Sequence, residues 1–216
     1  MNQAAFFDLD GTIITRNSAS LWMMSEWRKG RLSLYLVARG SLYVLAYKLG
    51  VIDMEQAMNE ALQTVAGMEE EALRLRTHQW VDERVMRFVA PGARVALDRH
   101  RTQGHRLVLL TSASPYESEA ISERLGLDDF LSTRYEVHDG RMTGKVAPPI
   151  CYGTGKIHWA KQYADAHDID LKESWFYSDS ITDLPMLQEV GHPVVVNPDL
   201  RLKRKAAKIG WPVEHW

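Results

Sequence analysis

Residues 6–12 read FFDLDGT, closing an apolar run that begins at Ala4 and Ala5. The run has the length and composition of a short buried strand, and it stops at a Gly-Thr turn signal. Side chains two apart on a strand point to the same face, so Asp8 and Asp10 are expected to converge where the strand ends. Two neighbouring carboxylates resist joint ionisation unless a cation or a shared proton relieves them. The placement is costly without a use.

Working outward, the segment 17–88 reads as almost wholly helical. SASLWMMSEWRKG (18–30) has apolar residues at helical spacing, Asp53 is a candidate cap for 53–64, and 69–88 opens with three acidic residues suited to a helix N-terminus. Pro91 and Gly92 then read as a break before a helix at 93–104, and HRLVLLTS (105–112) reads as a buried strand. The stretch 112–126 carries helix signals: Ser114 as cap, Pro115 at the first position, Glu117 completing a capping box, and Gly126 as stop. A hairpin is expected at 134–146 with its turn at Asp139 and Gly140. It is followed by a helix at 153–167, a strand SWFYSD (174–179), a helix at 182–191 and a last strand at 192–198.

Strands alternating with helices predict an α/β fold with a parallel sheet, and the helical block after the first strand reads as an insertion over it. In such a sheet, ligands bind beyond the carboxyl ends of the strands. FFDLD, LVLLTS and WFYSD all end in polar side chains, bringing Asp8, Asp10, Asp179, Asp183, Thr111 and Ser112 to one edge.

The chain has 216 residues, 45% of them hydrophobic, in the range of one large domain or a domain with an insertion. A net charge of -2 gives no reason to expect a nucleic-acid partner. The single cysteine, Cys151, precludes an intrachain disulfide and fits a reducing cytoplasm. The first residues lack the pattern of a signal peptide. Arg39 and Lys48 interrupt the apolar segment 31–52, which reads as one or two amphipathic helices rather than a membrane span, so stable membrane insertion is not expected. The basic stretch 201–208 reads as a solvated helix face.

Four segments, in order, resemble the motifs of haloacid dehalogenase (HAD) superfamily phosphatases, in subfamily IB around phosphoserine phosphatase. They are DLDGT (8–12), Thr111 in LVLLTSAS, Lys156 in GTGK, and the acidic pair Asp179 and Asp183 in YSDSITD. The resemblance implies a Rossmann-like catalytic core at 1–15 and 89–216, with a helical cap at 16–88. It implies that Asp8 attacks phosphorus and forms an aspartyl-phosphate, while Asp10 protonates the leaving oxygen and later activates water. It further implies a magnesium ion on the carboxylates of Asp8 and Asp179 and the backbone carbonyl of Asp10. Thr111 and Lys156 would hold the phosphoryl oxygens, and Asp183 would orient the lysine or a metal-bound water.

Elementary chemistry suits these roles. Magnesium prefers oxygen ligands and commonly takes one or two carboxylates with phosphate and water. A carboxylate nucleophile splits hydrolysis into two displacements, which then depend on positioning and on neutralising the equatorial oxygens. Ser112 competes with Thr111 for the phosphate role, and Lys145 and Lys161 compete with Lys156. The strand-terminal threonine and the lysine at the Gly-flanked helix start are preferred. His138, His158 and His167 lack metal-ligand spacing, and Cys151 reads as an inert small residue.

Substrate choice in the family resides largely in the cap. Phosphoserine phosphatases carry a glutamate shortly after the first motif that reads the substrate's amino group; counting places Asn17 there. Ser178 also replaces a glycine usual in that branch. Trp22, Met23, Met24 and Trp27 suggest either cap packing or an apolar substrate portion, as in a lysophospholipid-type phosphate. The expected activity is magnesium-dependent hydrolysis of a small phosphorylated metabolite by a monomer or homodimer. The alternatives are transfer to another hydroxyl, as in a mutase, and a silent phosphate-binding module.

Overall fold

A computed structural model describes residues 2–33, 42 and 53–216. Its centre is a six-stranded sheet in the order β3-β2-β1-β6-β7-β8, with every neighbouring pair parallel. The strands are β1 (Ala4–Phe7), β2 (Arg106–Leu110), β3 (Asp129–Leu131), β6 (Trp175–Ser178), β7 (His192–Val196) and β8 (Val213–Glu214). The hairpin strands β4 (Arg134–His138) and β5 (Arg141–Ala147) form a separate antiparallel pair.

β1 lies between β2 and β6 and is buried on both faces, which is why it reads as an unbroken apolar run. Its residues divide between two cores. Ala5 and Phe7 pack with Ala96 and Leu97 of α4 (Pro91–Thr102) and with Ala120 and Ile121 of α5 (Pro115–Leu125). Ala4 and Phe6 pack on the other face with Trp159, Ala160 and Tyr163 of α6 (Thr154–His167), Met186 and Leu187 of α7 (Leu184–Glu189), and Leu202 of α8 (Leu200–Ile209). This is the two-sided covering that a parallel sheet requires.

Between β1 and β2 lie α1 (Ser18–Arg28), α2 (Met54–Leu62) and α3 (Glu70–Trp80). Asn17 caps α1 by accepting from Ser20 N, and Asp53 caps α2 through Gln56 N, as its position implies. α3 stops at Trp80; a π-helical turn at Val81–Val85 and a 3-10 turn at Met86–Phe88 replace the expected single helix. The wider turn keeps Trp80, Val81 and Val85 buried on the inner side. Most of the segment 31–52, and with it the expected amphipathic helices, lies outside the described residues. No helix among the described residues is long and apolar enough to cross a membrane.

The hairpin sits late in the sequence but packs in space on the inserted helices. Met142 and Val146 share a cluster with Leu62, Val65, Leu73 and Tyr116, and Asn59 Oδ1 accepts from Val146 N at 2.8 Å. Trp22 meets Trp80 edge-to-face at 5.1 Å, with the Arg76 guanidinium 5.2 Å over its ring, so packing accounts for this tryptophan. Met24 and Trp27 remain exposed.

Two local readings need correction. Pro91 and Gly92 do not break the chain; Pro91 starts α4, where its missing N–H costs nothing. Glu117 completes no capping box, because the Ser114 side chain makes no capping bond and the glutamate is buried.

The opposite edge of the sheet holds a buried histidine, His100. Its Nε2 lies 2.8 Å from the Tyr177 hydroxyl and its Nδ1 2.8 Å from Nδ1 of His105. Burial, with added repulsion from His105 and Arg99, pushes its pKa down to about 4. An unfolded histidine takes its proton near pH ~6.5. Between there and about 4 the unfolded chain binds a proton that the native state refuses, so stability falls as pH drops through this window, by at most about 3 kcal/mol. Urea unfolding of wild type and His100→Gln at pH ~7 and pH ~4.5 checks this. The stability difference between the two proteins should shrink at the lower pH; an unchanged difference rejects the assignment.

Candidate active site

Register builds the site. Phe7 pairs with Leu109 of β2 and with Tyr177 of β6, so the residues that follow these strands emerge side by side. Asp8 N donates to Tyr177 O at 2.9 Å, anchoring the first aspartate against β6. Thr111 and Asp179 leave the same edge one step beyond Leu110 and Ser178.

Lys156, in the first turn of α6, reaches into this edge. It is 2% exposed, and its Nζ donates to Asp8 Oδ1 and to Asp183 Oδ2, each at 2.7 Å. Burial opposes its charge, but Asp183 and Asp8 outweigh burial and hold its pKa above the ordinary lysine range. Asp183 is fixed from the other side by the Ser178 hydroxyl, which donates to the same Oδ2 at 2.7 Å. That contact gives Ser178 a structural purpose. Of the rival lysines, Lys145 is exposed on β5, and Lys161 faces solvent and pairs with Glu189.

The two aspartates of the first motif take different partners. The strand ends at Phe7, and the chain turns. Asp8 faces Lys156, whereas Asp10 faces the start of α1. There Oδ1 accepts from Ser18 N at 2.9 Å, and Oδ2 accepts from Asn17 Nδ2 at 2.8 Å and from the Ser18 hydroxyl at 3.2 Å. Burial raises the Asp10 pKa, although the Ser18 bonds oppose the rise. Asn17 is thus engaged twice, on Asp10 and, through Oδ1, on Ser20.

Thr111 is buried; its hydroxyl accepts from Ala113 N at 3.2 Å, and its N–H donates to Leu131 O. Ser112 follows it and is half-buried. Ser18 and Asp199 contribute contacts with no advance signal. Asp199 caps α8, and its Oδ2 accepts from Ile181 N at 2.7 Å, pinning the loop that carries Asp179 and Asp183. A lone serine at a helix start and a capping aspartate ordinarily serve their own helix, so nothing local distinguishes them.

Asp179 lies against Gly11. A Cβ on residue 11 would stand 2.2 Å from Asp179 Oδ2, and φ there is +77°, so glycine leaves the space the carboxylate fills. Burial, then Asp183, pushes the Asp179 pKa up to about 7. Burial also raises Asp8, against the pull of Lys156, with Asp183 and Asp179 adding to the rise. Buried carboxylates with one lysine among them leave negative charge unbalanced, which a divalent cation on oxygen donors would relieve. Among the described residues no three His, Cys, Asp or Glu side chains form a ready cation cage. Two carboxylates and a main-chain carbonyl suit an ion that keeps several waters.

An open parallel sheet with four aspartates and a buried lysine beyond its central strands gives this α/β chain a carboxylate-rich candidate site. The family model for haloacid dehalogenase-like hydrolases matches residues 5–188. A phosphoserine phosphatase of Mycobacterium tuberculosis is 33% identical over 219 residues, covering 99% of this chain and 70% of that one. A histidinol-phosphatase of Neisseria meningitidis is 28% identical over 218 residues, covering 99% of this chain and 98% of that one. Among solved structures, a protein of unknown function from Bordetella pertussis superposes with a TM-score of 0.90 at 26% identity, covering 99% of this chain and 98% of that one. The chain belongs to the haloacid dehalogenase-like hydrolase family, as a phosphoserine phosphatase-like phosphatase. Its substrate is a phosphate ester, and phosphatases of this family generally use a divalent metal.

Proposed function

We propose that the protein is a magnesium-dependent phosphomonoesterase that hydrolyses a small phosphorylated metabolite through a phosphorylated Asp8. The observation that carries the reading is the different surroundings of two acids two residues apart. Asp8 is held by the Lys156 ammonium, and Asp10 by Ser18 and Asn17. Environments that separate two carboxyl groups are how acid and nucleophile roles are divided.

In the first step a carboxylate oxygen of Asp8 attacks phosphorus and the bond to the leaving oxygen breaks. Asp10 gives its proton to that oxygen, a task suited to its raised pKa. In the second step water attacks the same phosphorus and Asp10 takes the water proton. The bond to Asp8 then breaks, releasing phosphate and restoring both carboxyl groups. Lys156 and Thr111 hold the equatorial oxygens, with Ser112 beside them, while Asp183 and Ser178 keep Lys156 in place. Asp8, Asp179 and the Asp10 carbonyl would hold the magnesium ion, which supplies positive charge to the phosphoryl oxygens and keeps Asp8 ionised. The core and cap boundaries follow the same reading: 1–15 and 89–216 supply the chemistry, and 16–88 covers it.

The test is phosphate release from phosphoserine, sugar phosphates, nucleotides, histidinol phosphate and lysophosphatidic acid, with magnesium and with chelator. Turnover of at least one compound should vanish on chelation and return with added magnesium. Turnover indifferent to chelation rejects the metal assignment, and no release from any compound rejects the activity.

A further inference from the structure

Five of the eight residues 201–208 in α8 are lysine or arginine, and no acidic residue stands between Asp199 and Glu214. Leu202 and Ala206 face inward and are buried against the sheet. A period of 3.6 residues then turns Leu200, Arg204 and Ala207 outward in one row. Lys203 flanks the row on one side, and Arg201 and Lys208 on the other. All six are exposed, Leu200 by 73%.

Such a face is costly when left alone. Arg201 and Arg204 are three apart, and Arg204 and Lys208 four apart, the spacings at which like charges on a helix repel. Arg201 and Lys203 also lie in the first turn, where the helix dipole disfavours cations. Asp199 offsets part of this by accepting from Arg201 N and Leu202 N. Two exposed arginines elsewhere have carboxylate partners: Arg101 of α4 meets Asp98, and Arg124 of α5 meets Asp82 and Glu123. Among the described residues, the ion pairs found include none for Arg201, Lys203, Arg204 or Lys208.

A surface of fixed anions would relieve the row, and the apolar residue within it says which kind. Leu200 gains nothing against a phosphate strand, and the outward face holds no aromatic ring, asparagine or glutamine to stack on or read a base. A second copy facing it across a two-fold axis would bring the same cations together. A bilayer with anionic headgroups suits both parts, since the headgroups meet the cations and Leu200 enters the acyl boundary. At ten residues the helix is too short to span, so it would lie on the surface. Its N-terminal end is joined to the candidate site: Asp199 N donates to Asp179 O at 2.9 Å, and Asp199 Oδ2 accepts from Ile181 N. Docking through Leu200 sets the acid-rich sheet edge close to the bilayer.

We propose that the outward face of α8 is a docking surface for anionic lipid bilayers. Arg201, Lys203, Arg204 and Lys208 take the headgroups, and Leu200 takes the acyl boundary. The docking does not depend on the reaction proposed above, and its test needs no turnover.

The experiment spins the full chain with vesicles of phosphatidylcholine, alone or with about 30% phosphatidylserine, at about 0.05 M and about 0.5 M salt. Wild type should pellet with the anionic vesicles at low salt. Its partition coefficient should drop by about 10-fold or more on neutral vesicles or at high salt. Arg201→Gln combined with Arg204→Gln and Lys208→Gln should cost about 100-fold. Arg28→Gln combined with Arg94→Gln and Lys145→Gln removes the same charge from exposed sites elsewhere and should cost less than about 3-fold. Leu200→Ser should cost about 5-fold. Melting curves check that each variant is folded; Arg204→Gln alone, expected to lose about 5-fold, carries the test should the triple variant unfold. A wild type that ignores anionic vesicles, or equal losses in the two triple variants, overturns the proposal. Pelleting that is equal on neutral vesicles overturns the role of the cations. Equal affinity for a short DNA duplex, unaffected by Leu200→Ser, overturns the lipid assignment in favour of nucleic acid.

Discussion

Asp8→Asn should lower phosphate release by about 10⁴-fold or more while leaving the chain folded. The substitution removes the attacking carboxylate and keeps its size, so substrate still meets Lys156 and Thr111 but finds no nucleophile. The fold should tolerate the change. Lys156 retains Asp183 as a partner at 2.7 Å, and the amide lessens the crowding of negative charge around Asp179. The thermal midpoint should therefore hold or rise. Single-turnover phosphate release and a melting curve on the same preparation separate the outcomes. A folded variant that turns over at a rate near wild type removes Asp8 from the role of nucleophile. An unfolded variant would instead show that the Asp8–Lys156 pair carries the site's stability.

The centre of this fold was legible because its signals are long or chemically unusual. β1, β2, β6 and β7 are apolar runs that stop at polar residues, and parallel register converts those stops into one acid-rich edge. The outer strands carry no such signal. β3 spans Asp129–Leu131 and β8 Val213–Glu214, too short for any period, and each exists because a neighbour presents an open edge. Glu117 shows a tertiary contact overruling a local pattern. Ser-x-x-Glu before an apolar stretch fits a capping box, yet the Ser114 side chain makes no capping bond and the glutamate is buried within electrostatic reach of Asp10. The different partners of Asp8 and Asp10 have a similar origin, since strand alternation applies only until Phe7. Ser18 could not be read at all: its role depends on where the inserted helices return over the sheet, information that no neighbouring residue holds.

Lys156→Met should both destabilise the protein and remove most of its activity. The ammonium is the cation bridging Asp8 and Asp183, and all three side chains are nearly closed to solvent. Removing one member of a buried ion pair leaves the other charge uncompensated and typically costs about 3–5 kcal/mol. Here two carboxylates lose their partner, with Asp179 close by to repel them. The variant's loss should depend on pH with a defined sign. Without the lysine, burial leaves native Asp8 binding a proton more readily than the unfolded chain does, so lowering the pH favours the folded variant. The gap to wild type should thus be widest near pH ~8 and narrow by pH ~5.5. Phosphate release should fall by about 10²- to 10³-fold, the scale expected when a group neutralising developing charge is lost. Urea unfolding of both proteins at the two pH values measures the first effect, and steady-state kinetics the second. A variant as stable as wild type at pH ~8 would mean that a proton already neutralises Asp8 in the native state. Lys156 would then serve the substrate alone, and its removal would cost rate without cost to the fold.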